Sequence, residues 1–280
     1  MALSSSPLRY PGGKIKIYNR VVRLIEENDF CNKTYVEPFA GGFGIGINLL
    51  LNGIVHTAVL NDYDKHIFNF WYSVFHYTDE LLKLINDTPI TIEERKRQLA
   101  IYNDPTADIP SDGFATLFLN RVNYSGIIKG GPIGGETQSG KYKLDCRFNK
   151  QEIQKRIEKV ALLKDKIYLY NYDASELIIH YLGDIKKNAF FNIDPPYVIK
   201  GNRLYTNYFE EDDHRKLAQV ISKHLKNYPW IITYDNCELI RNIYSRYHME
   251  EYNILHNAGG STLGKELVIT NIPRDKFVWL

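Results

Sequence analysis

The chain has 280 residues, of which 44% are hydrophobic and 24% charged, so it can bury a sizeable core and is not disordered by composition. With 35 Lys and Arg against 33 Asp and Glu, the net charge of +2 excludes a histone-like protein but not a nucleic-acid enzyme with one basic face. The three cysteines lie far apart, which argues against a disulfide scaffold or a structural zinc site. The sequence shows no signal peptide and no membrane-spanning run, so we expect a soluble, cytoplasmic protein.

Short apolar or β-branched runs alternate with helical patterns along most of the chain. Seven such runs predict strands, at residues 34–37, 57–61, 166–171, 189–194, 230–235, 249–255 and 266–272. Helical periodicity is clearest at 151–163, where Ile153, Ile157 and Val160 share one face, and at 211–225. This alternation predicts an α/β fold with a doubly wound, mostly parallel sheet.

Residues 76–150 interrupt the alternation. They predict a charged helix at 91–104 and an apolar helix at 111–122 with Ser111 or Asp112 as its cap, followed by a glycine-rich stretch. Six basic and two acidic residues between Arg121 and Lys150 give this region a charge of +4, twice that of the whole chain. We predict an inserted subdomain at 76–150 that closes in a basic hairpin or loop, within a main domain formed by 1–75 and 151–280; a solvated surface loop is the alternative.

A glycine-rich turn follows the first predicted strand and predicts a cofactor site. Glycines let the backbone approach a ligand closely, and an acid at the tip of the second strand, about twenty residues later, is where ribose hydroxyls are bound. Asp62 stands at that tip, while Asp64 is more simply read as the N-cap of a helix at 65–76. The fit to G-x-G-x-x-G is poor, because Ile47 and Leu49 stand where a small residue is needed. The pair of features favours an adenosine-containing cofactor over a plain tight turn.

The fourth predicted strand ends in Asp194-Pro195-Pro196-Tyr197. Two prolines stiffen the turn and leave its carbonyls as acceptors, while the aspartate adds a carboxylate and the tyrosine a flat face. Such a set can bind an amino group on a planar ring, with two acceptors for its N–H groups and an aromatic stacking partner. A simple strand-ending Pro-Pro turn is the alternative.

This D-P-P-Y motif resembles that of the Dam-type family of DNA adenine-N6 methyltransferases, together with E-P-F-A-G-G at 37–42, L-R-Y-P-G-G-K at 8–14 and N-R-V-N-Y-S-G-I-I-K at 120–129. The resemblance covers nearly the whole chain and extends to the order of the motifs. One local departure is Phe43, at the position where many relatives have the last glycine of F-x-G-x-G. The resemblance implies a seven-stranded methyltransferase fold that uses S-adenosylmethionine (SAM) and no metal, and carries an inserted target-recognition subdomain.

The resemblance also implies roles for individual residues. Cofactor contacts are expected from Tyr10, Lys14, Glu37, Phe39, Gly41, Asp62, Asp173 and Asp194. Among them Lys14 would lie near the SAM carboxylate, Glu37 and Phe39 at the methionine and sulfonium end, and Asp62 at the ribose; Asp173 is equally well explained as a helix cap. The catalytic set would be Asp194, Pro195, Pro196 and Tyr197. Contacts to DNA are expected from Arg121, Tyr124, Ser125, Lys129, Lys141, Lys143 and Arg147.

The implied reaction is methyl transfer to N6 of an adenine flipped out of double-stranded DNA at a specific site, with a cognate restriction enzyme as a functional partner. Related tetrapeptides also serve enzymes that methylate RNA or a protein glutamine amide. A catalytically silent DNA-binding relative and a nicotinamide dehydrogenase are further alternatives. Asp194 as the first motif residue and the basic insert favour adenine in DNA.

Overall fold

Seven strands form one sheet in the computed structural model, which describes residues 5–9, 14–198, 209–256 and 262–279. The strands are β1 Thr34–Glu37, β2 Ala58–Asn61, β3 Ile167–Tyr170, β4 Ala189–Ile193, β5 Trp230–Asp235, β6 His248–His256 and β7 Thr262–Thr270. Their order is β3-β2-β1-β4-β5-β7-β6; the first five are parallel, and β7 is antiparallel to both β5 and β6. The predicted α/β class and all seven predicted strands are therefore confirmed.

The inner strands are apolar along their whole length because helices cover both faces of a parallel sheet. Every residue of β2, β4 and β5 is buried, whereas β3 lies at the edge and is only partly buried. Side chains of β1, β4 and β5, such as Val36, Phe191 and Ile232, join one core cluster with Leu217 and Ile221 from a helix. The hydrophobic core therefore lies directly under the strand ends that carry the two motifs.

The described helices alternate with the strands outside the insert and follow one another within it. They are α1 Tyr18–Glu27, α2 Gly44–Leu51, α3 Lys65–His76, α4 Thr78–Asp87, α5 Ile92–Asn103, α6 Ile109–Val122, α7 Lys150–Ala161, α8 Ala174–Glu176, α9 Glu211–His224 and α10 Glu238–Ile243. The predicted buried face of α7 is confirmed, since Ile153, Ile157 and Val160 are all buried. Asp64 caps α3 as predicted by accepting the His66 N–H at 2.9 Å. None of these described helices has the length and apolarity to cross a membrane.

The apolar helix of the insert begins earlier than its pattern predicts. Asp108, rather than Ser111 or Asp112, is the N-cap, because its carboxylate accepts the Ser111 N–H at 2.8 Å and Pro110 suits the first turn. Asp112 is buried instead and accepts from His66 Nδ1 and Asn69 Nδ2, both at 2.7 Å. The glycine-rich stretch after α6 is a loop: its described backbone contains short 3₁₀ turns and one isolated bridge, not a two-stranded hairpin.

Contacts divide the described residues into two units. We call residues 14–63 with 166–279 the sheet unit, and residues 5–9 with 64–165 the insert unit. The boundaries differ from the predicted 75/76 and 150/151, because α3 packs on α6 and α7 packs on α4. Sequence periodicity shows that α3 and α7 are amphipathic, but not which neighbour covers their apolar faces.

Candidate active site

Two of the motifs meet at the point where the strand order of the sheet unit reverses. From β1 the chain proceeds to β2 and β3 on one side, and from β4 to β5 on the other. Glu37 ends β1, and Asp194 directly follows the neighbouring β4. The crevice outside the carboxyl ends of strands at such a reversal is where open α/β sheets bind their ligands. The fold therefore places the glycine turn and the D-P-P-Y motif at one ligand-binding edge.

The glycine turn between β1 and α2 has two residues in the left-handed region. Gly41 has φ +48° and Phe43 has φ +46°. Residues with a side chain rarely adopt such a value, so Phe43 is unusual here. The Phe43 ring is buried and occupies the space beside Gly46, where an added Cβ would lie 2.3 Å from the ring carbon Cζ. Phe43 therefore occupies the position of the last glycine in F-x-G-x-G, and the absence of a side chain at Gly46 leaves room for its ring.

The tip of β2 is bound to the glycine turn by two neighbouring side chains. Asp62 accepts the Gly41 N–H on Oδ2 at 2.8 Å. Asn61 is fully buried; its Nδ2 donates to the carbonyls of Pro38 and Tyr172 at 2.8 and 2.9 Å, so it ties together the segments that follow β1 and β3. Asn61 was not among the predicted site residues, although an amide at the end of an apolar strand is a recognisable signal.

Glu37 is buried at the end of β1 and is hydrogen-bonded to an aromatic hydroxyl. The Tyr35 hydroxyl donates to its Oε1 at 2.7 Å, and Asn192 Nδ2 donates to the same hydroxyl oxygen at 2.6 Å. The pKa of Glu37 is raised to about 8, mainly by burial; the nearby Asp194 charge also raises it, while the hydrogen bond from Tyr35 lowers it. The carboxyl is therefore mostly protonated at neutral pH when no cation lies beside it.

These groups fit the cofactor that the resemblance implies. A partly exposed carboxylate beside a glycine turn suits a ribose, and no described Lys, Arg or His pairs with Glu37, whose carboxyl suits the ammonium of a methionine. Phe39 is partly buried with its ring against Phe209. Asp173 caps α8 by accepting the N–H groups of Ser175 and Glu176, and Tyr10 lies outside the described residues.

Asp194 is held through one of its two carboxylate oxygens. Thr233 donates to Oδ1 at 2.8 Å, and Lys14 Nζ lies 3.2 Å from the same atom. Within the described part of the chain, no residue donates to Oδ2, and 21% of the side chain is exposed. Burial raises the pKa of Asp194, while Lys14 and Thr233 act in the opposite direction. Asp194 Oδ2 is therefore left as an acceptor at the ligand edge of the sheet.

Lys14 lies within the D-P-P-Y site. Its buried ammonium donates to the Tyr197 hydroxyl, lies 4.4 Å from the centre of that ring, and is 3.2 Å from Asp194 Oδ1 and 3.4 Å from Glu266 Oε2. The expected contact of Lys14 with the SAM carboxylate stays a prediction. Tyr197 itself is only 5% exposed.

Two residues of this site, Thr233 and Glu266, were not predicted from the sequence. Thr233 lies on β5 and Glu266 on β7, far from Asp194 along the chain. Nothing in the local sequence marks Thr233, which sits in an ordinary strand pattern. Glu266 carried a usable signal, because an acid inside a buried apolar strand needs a buried partner.

The five basic residues of the insert unit that are expected to contact DNA comprise one buried and four exposed side chains. Arg121 is buried, its guanidinium donates to the carbonyls of Pro7 and Arg147, and burial lowers its pKa to about 9. The four exposed residues are Lys129, Lys141, Lys143 and Arg147. Tyr124 is 55% exposed and Ser125 is partly buried with φ +56°. The structure thus assigns Arg121 to fastening the N-terminal segment and the loop within this unit.

Metal ligation has no evident location in the described residues, where no three His, Cys, Asp or Glu side chains converge on one point. That no metal takes part stays a prediction.

The fold, with this set of acceptors at its ligand edge, suits an enzyme that acts on an amino nitrogen. A model of the D12 class N6 adenine-specific DNA methyltransferase family matches residues 10–258, and the chain belongs to this family. It is therefore an adenine-specific DNA methyltransferase, its substrate is DNA, and membership of the family implies SAM as the methyl donor.

Individual relatives agree with this assignment. The type II methyltransferase M.MjaIII of Methanocaldococcus jannaschii is 25% identical over 236 residues, covering 77% of this chain and 78% of its own. The retron Ec67 DNA adenine methylase of Escherichia coli is 23% identical, covering 87% of this chain and 81% of its own. The type II methyltransferase M.FokI of Planomicrobium okeanokoites is 43% identical over 54 residues, which cover 19% of this chain and 8% of its own.

Proposed function

We propose that this enzyme methylates N6 of an adenine flipped out of double-stranded DNA, within a specific recognition sequence. Asp194 and the Pro195 carbonyl would each accept one N–H of the adenine amino group. The observation that supports these roles is the one-sided anchoring of Asp194, whose Oδ1 is held by Thr233 and Lys14 while no described residue donates to Oδ2.

The chemistry requires activation of a weak nucleophile. The amino nitrogen of adenine is a poor nucleophile because its lone pair is delocalised into the ring. Two hydrogen bonds from its N–H groups to Asp194 and Pro195 favour a tetrahedral nitrogen and localise that lone pair in the direction of attack. When bound, SAM supplies an electrophilic methyl group on its sulfonium. Nitrogen gains a C–N bond as the bond between sulfur and methyl breaks and leaves its electron pair on sulfur, which becomes a neutral thioether. The nitrogen must then lose one proton, which Asp194 accepts and passes to solvent.

Base access is the second requirement. An adenine inside a duplex cannot reach Asp194, so it must be flipped out at a cost of roughly a few kcal/mol. Tyr197 is the proposed stacking partner for the flipped base, and its low exposure means that adenine binding must uncover its ring. In this proposal, contacts between DNA phosphates and the four exposed basic residues named above supply binding free energy that offsets the cost of flipping the base.

A companion restriction enzyme acting at the same sequence is part of the proposal. Its support is that two of the relatives are named type II methyltransferases. DNA methylated by the protein should then resist cleavage by that enzyme, and the recognition sequence found by sequencing identifies which cleavage specificity to test.

The proposal is tested by single-molecule sequencing of unmethylated genomic DNA after incubation with the protein and SAM. Intact protein should produce N6-methyladenine in one short motif, whereas Asp194→Ala should bind SAM and DNA but abolish methyl transfer. Asp184→Ala is the control, because that carboxylate is 90% exposed and its ion pair is with the exposed Lys187. Substantial turnover by Asp194→Ala would refute its role. Methylation of RNA or of a protein amide in place of DNA by intact protein would refute the proposed substrate.

A further inference from the structure

Glu266 is a buried carboxylate at the active site that the mechanism above does not use. Its side chain is 2% exposed, and Oε2 lies 3.4 Å from Lys14 Nζ. The Tyr252 hydroxyl donates to the same Oε2 at 2.7 Å. The strand register explains this meeting: on β7, Glu266 pairs with Tyr252 of β6 on one side and with Asp235 of β5 on the other.

Lys14 is consequently shared between two carboxylates. An ammonium has three N–H donors, and the described acceptors near Nζ include the Tyr197 hydroxyl, Asp194 Oδ1 and Glu266 Oε2. Without Glu266, a larger share of the Lys14 charge would act on Asp194, and a more strongly paired carboxylate is a weaker acceptor for a new N–H. Glu266 therefore limits how much of the Lys14 charge acts on Asp194.

The charges of Lys14 and Glu266 act on Asp194 in opposite directions. Lys14 lowers the pKa of Asp194, and Glu266 raises it. Other titratable groups that interact with Asp194 lie on β1, β5 and β6 and in the D-P-P-Y motif. Among the described residues, the titratable groups that act with Asp194 include Lys14, Tyr35, Glu37, Tyr197, Tyr234, Tyr252 and Glu266. Of the carboxylates in this set, only Glu266 shares the Lys14 ammonium with Asp194.

We propose that Glu266 is a positioning residue for methyl transfer: by competing for the Lys14 ammonium, it keeps Asp194 a strong, oriented acceptor for the adenine amino group. This inference rests on the proposed function, because it concerns the same acceptor. Glu266 does not touch the substrate in this scheme and acts only through Lys14.

The main test replaces Glu266 by the isosteric amide, Glu266→Gln. Single-turnover methyl transfer should slow by about 10- to 100-fold, as expected for a misplaced reacting group. The KM for DNA and the Kd for SAM should change by less than about threefold, because substrate binding does not use this contact. The acidic limb of the rate against pH should move to lower pH, since a negative charge that raised the Asp194 pKa has been removed.

Tyr252→Phe is a second variant with the opposite prediction. It removes the hydroxyl that shares Oε2 with Lys14 and leaves the Glu266 charge in place. Glu266 should then draw the ammonium more strongly, so that the acidic limb moves to higher pH. A merely structural role for Glu266 predicts lower thermal stability in both variants and no opposed shifts. Glu251→Gln is the matched control, an acid on β6 that forms a surface ion pair with Arg241.

A readout independent of activity separates this inference from the proposed function. The titration of the Asp194 carboxyl carbon, followed by NMR in protein with ¹³C-labelled aspartate, should move to lower pH in Glu266→Gln and to higher pH in Tyr252→Phe. An unmoved titration, or an unchanged rate profile in an active enzyme, overturns the role of Glu266. Wild-type protein that shows these NMR shifts but methylates no DNA contradicts the proposed function instead. If Glu266→Gln does not fold, an unmoved Asp194 titration in Tyr252→Phe overturns the role.

Discussion

At the scale of single residues, Glu37 links folding to pH. Burial, the largest cause, raises the pKa of its carboxyl from 4.5 to about 8, with a further contribution from the Asp194 charge. A carboxyl whose pKa is higher in the folded state favours folding while it is protonated. Its contribution is therefore fully present below about pH 4.5 and is lost as the pH rises through 8.

Replacing Glu37 by Gln should remove this pH dependence, because the amide oxygen can still accept the Tyr35 hydroxyl but never ionises. Between pH 5.5 and 8, the wild-type free energy of unfolding should fall by roughly 3 kcal/mol more than that of Glu37→Gln. Urea unfolding of both proteins at the two pH values, without SAM, measures this difference. Glu176→Gln, whose side chain is 57% exposed, serves as the control. Equal losses in wild type and Glu37→Gln would contradict the assignment.

At the scale of elements, the end of α6 organises the insert unit. Asn120 accepts the Arg9 N–H at 2.7 Å and donates to the carbonyls of Arg9 and Gly126 at 3.0 and 2.9 Å. Arg95 on α5 donates to Asn123 Oδ1 and to the Gly130 carbonyl at 2.8 and 2.9 Å. The glycine-rich loop is thus anchored by buried polar side chains, and its exposed lysines extend from a fixed backbone.

Exposed and buried basic residues of this unit should respond differently to mutation. The double variant Lys129→Ala, Lys141→Ala should bind DNA more weakly and lower the slope of log affinity against log salt by about two, one unit for each lost phosphate contact. Arg121→Met should leave that slope unchanged and lower the free energy of unfolding by about 1–3 kcal/mol, because buried carbonyls lose their donor. DNA titrations at several salt concentrations and urea unfolding check both. An unchanged slope in the double variant would mean that these lysines do not contact DNA.

At the scale of the whole molecule, the two units have different tasks in the proposal. The sheet unit contains every described residue assigned to the cofactor or to the reacting amine, and the insert unit contains those assigned to DNA. Within the described residues the chain passes between the two units three times, since residues 5–9 and 64–165 belong to the insert unit and residues 14–63 and 166–279 to the sheet unit. Because the predicted cofactor residues lie in the sheet unit, a bound cofactor should raise the unfolding temperature of that unit.

SAM should stabilise the protein by mass action. At about one hundred times its Kd, a ligand that binds only the folded state adds about 2.7 kcal/mol, which raises Tm by several degrees. Thermal unfolding with and without SAM measures this shift, and Asp62→Ala should reduce it because the proposed ribose contact is lost. NAD at the same concentration should have no effect. A shift caused by NAD and not by SAM would favour a nicotinamide site at the glycine turn.

Much of the fold could be predicted because its signals are local. Strands such as β4 and β5 show as apolar runs ended by an acid, and α7 shows its buried face in the spacing of three residues. Asp62 and Asp194 could be named for the same reason, since each stands directly after a strand. Turn chemistry and side-chain periodicity act over a few residues, so a short window of sequence contains them.

The partners of these residues depend on contacts that no window contains. Thr233 and Glu266 reach the site because β5 and β7 follow β4 in the sheet order, and a strand pattern does not state its neighbours. Arg121 and Lys129 look alike in sequence, yet one is buried and the other exposed because only Arg121 is covered by the N-terminal segment and the loop. The amino-acid sequence by itself determined the elements, the motifs and the family resemblance. Only the tertiary structure decided which charges are paired and which face solvent, because burial depends on what packs over a residue.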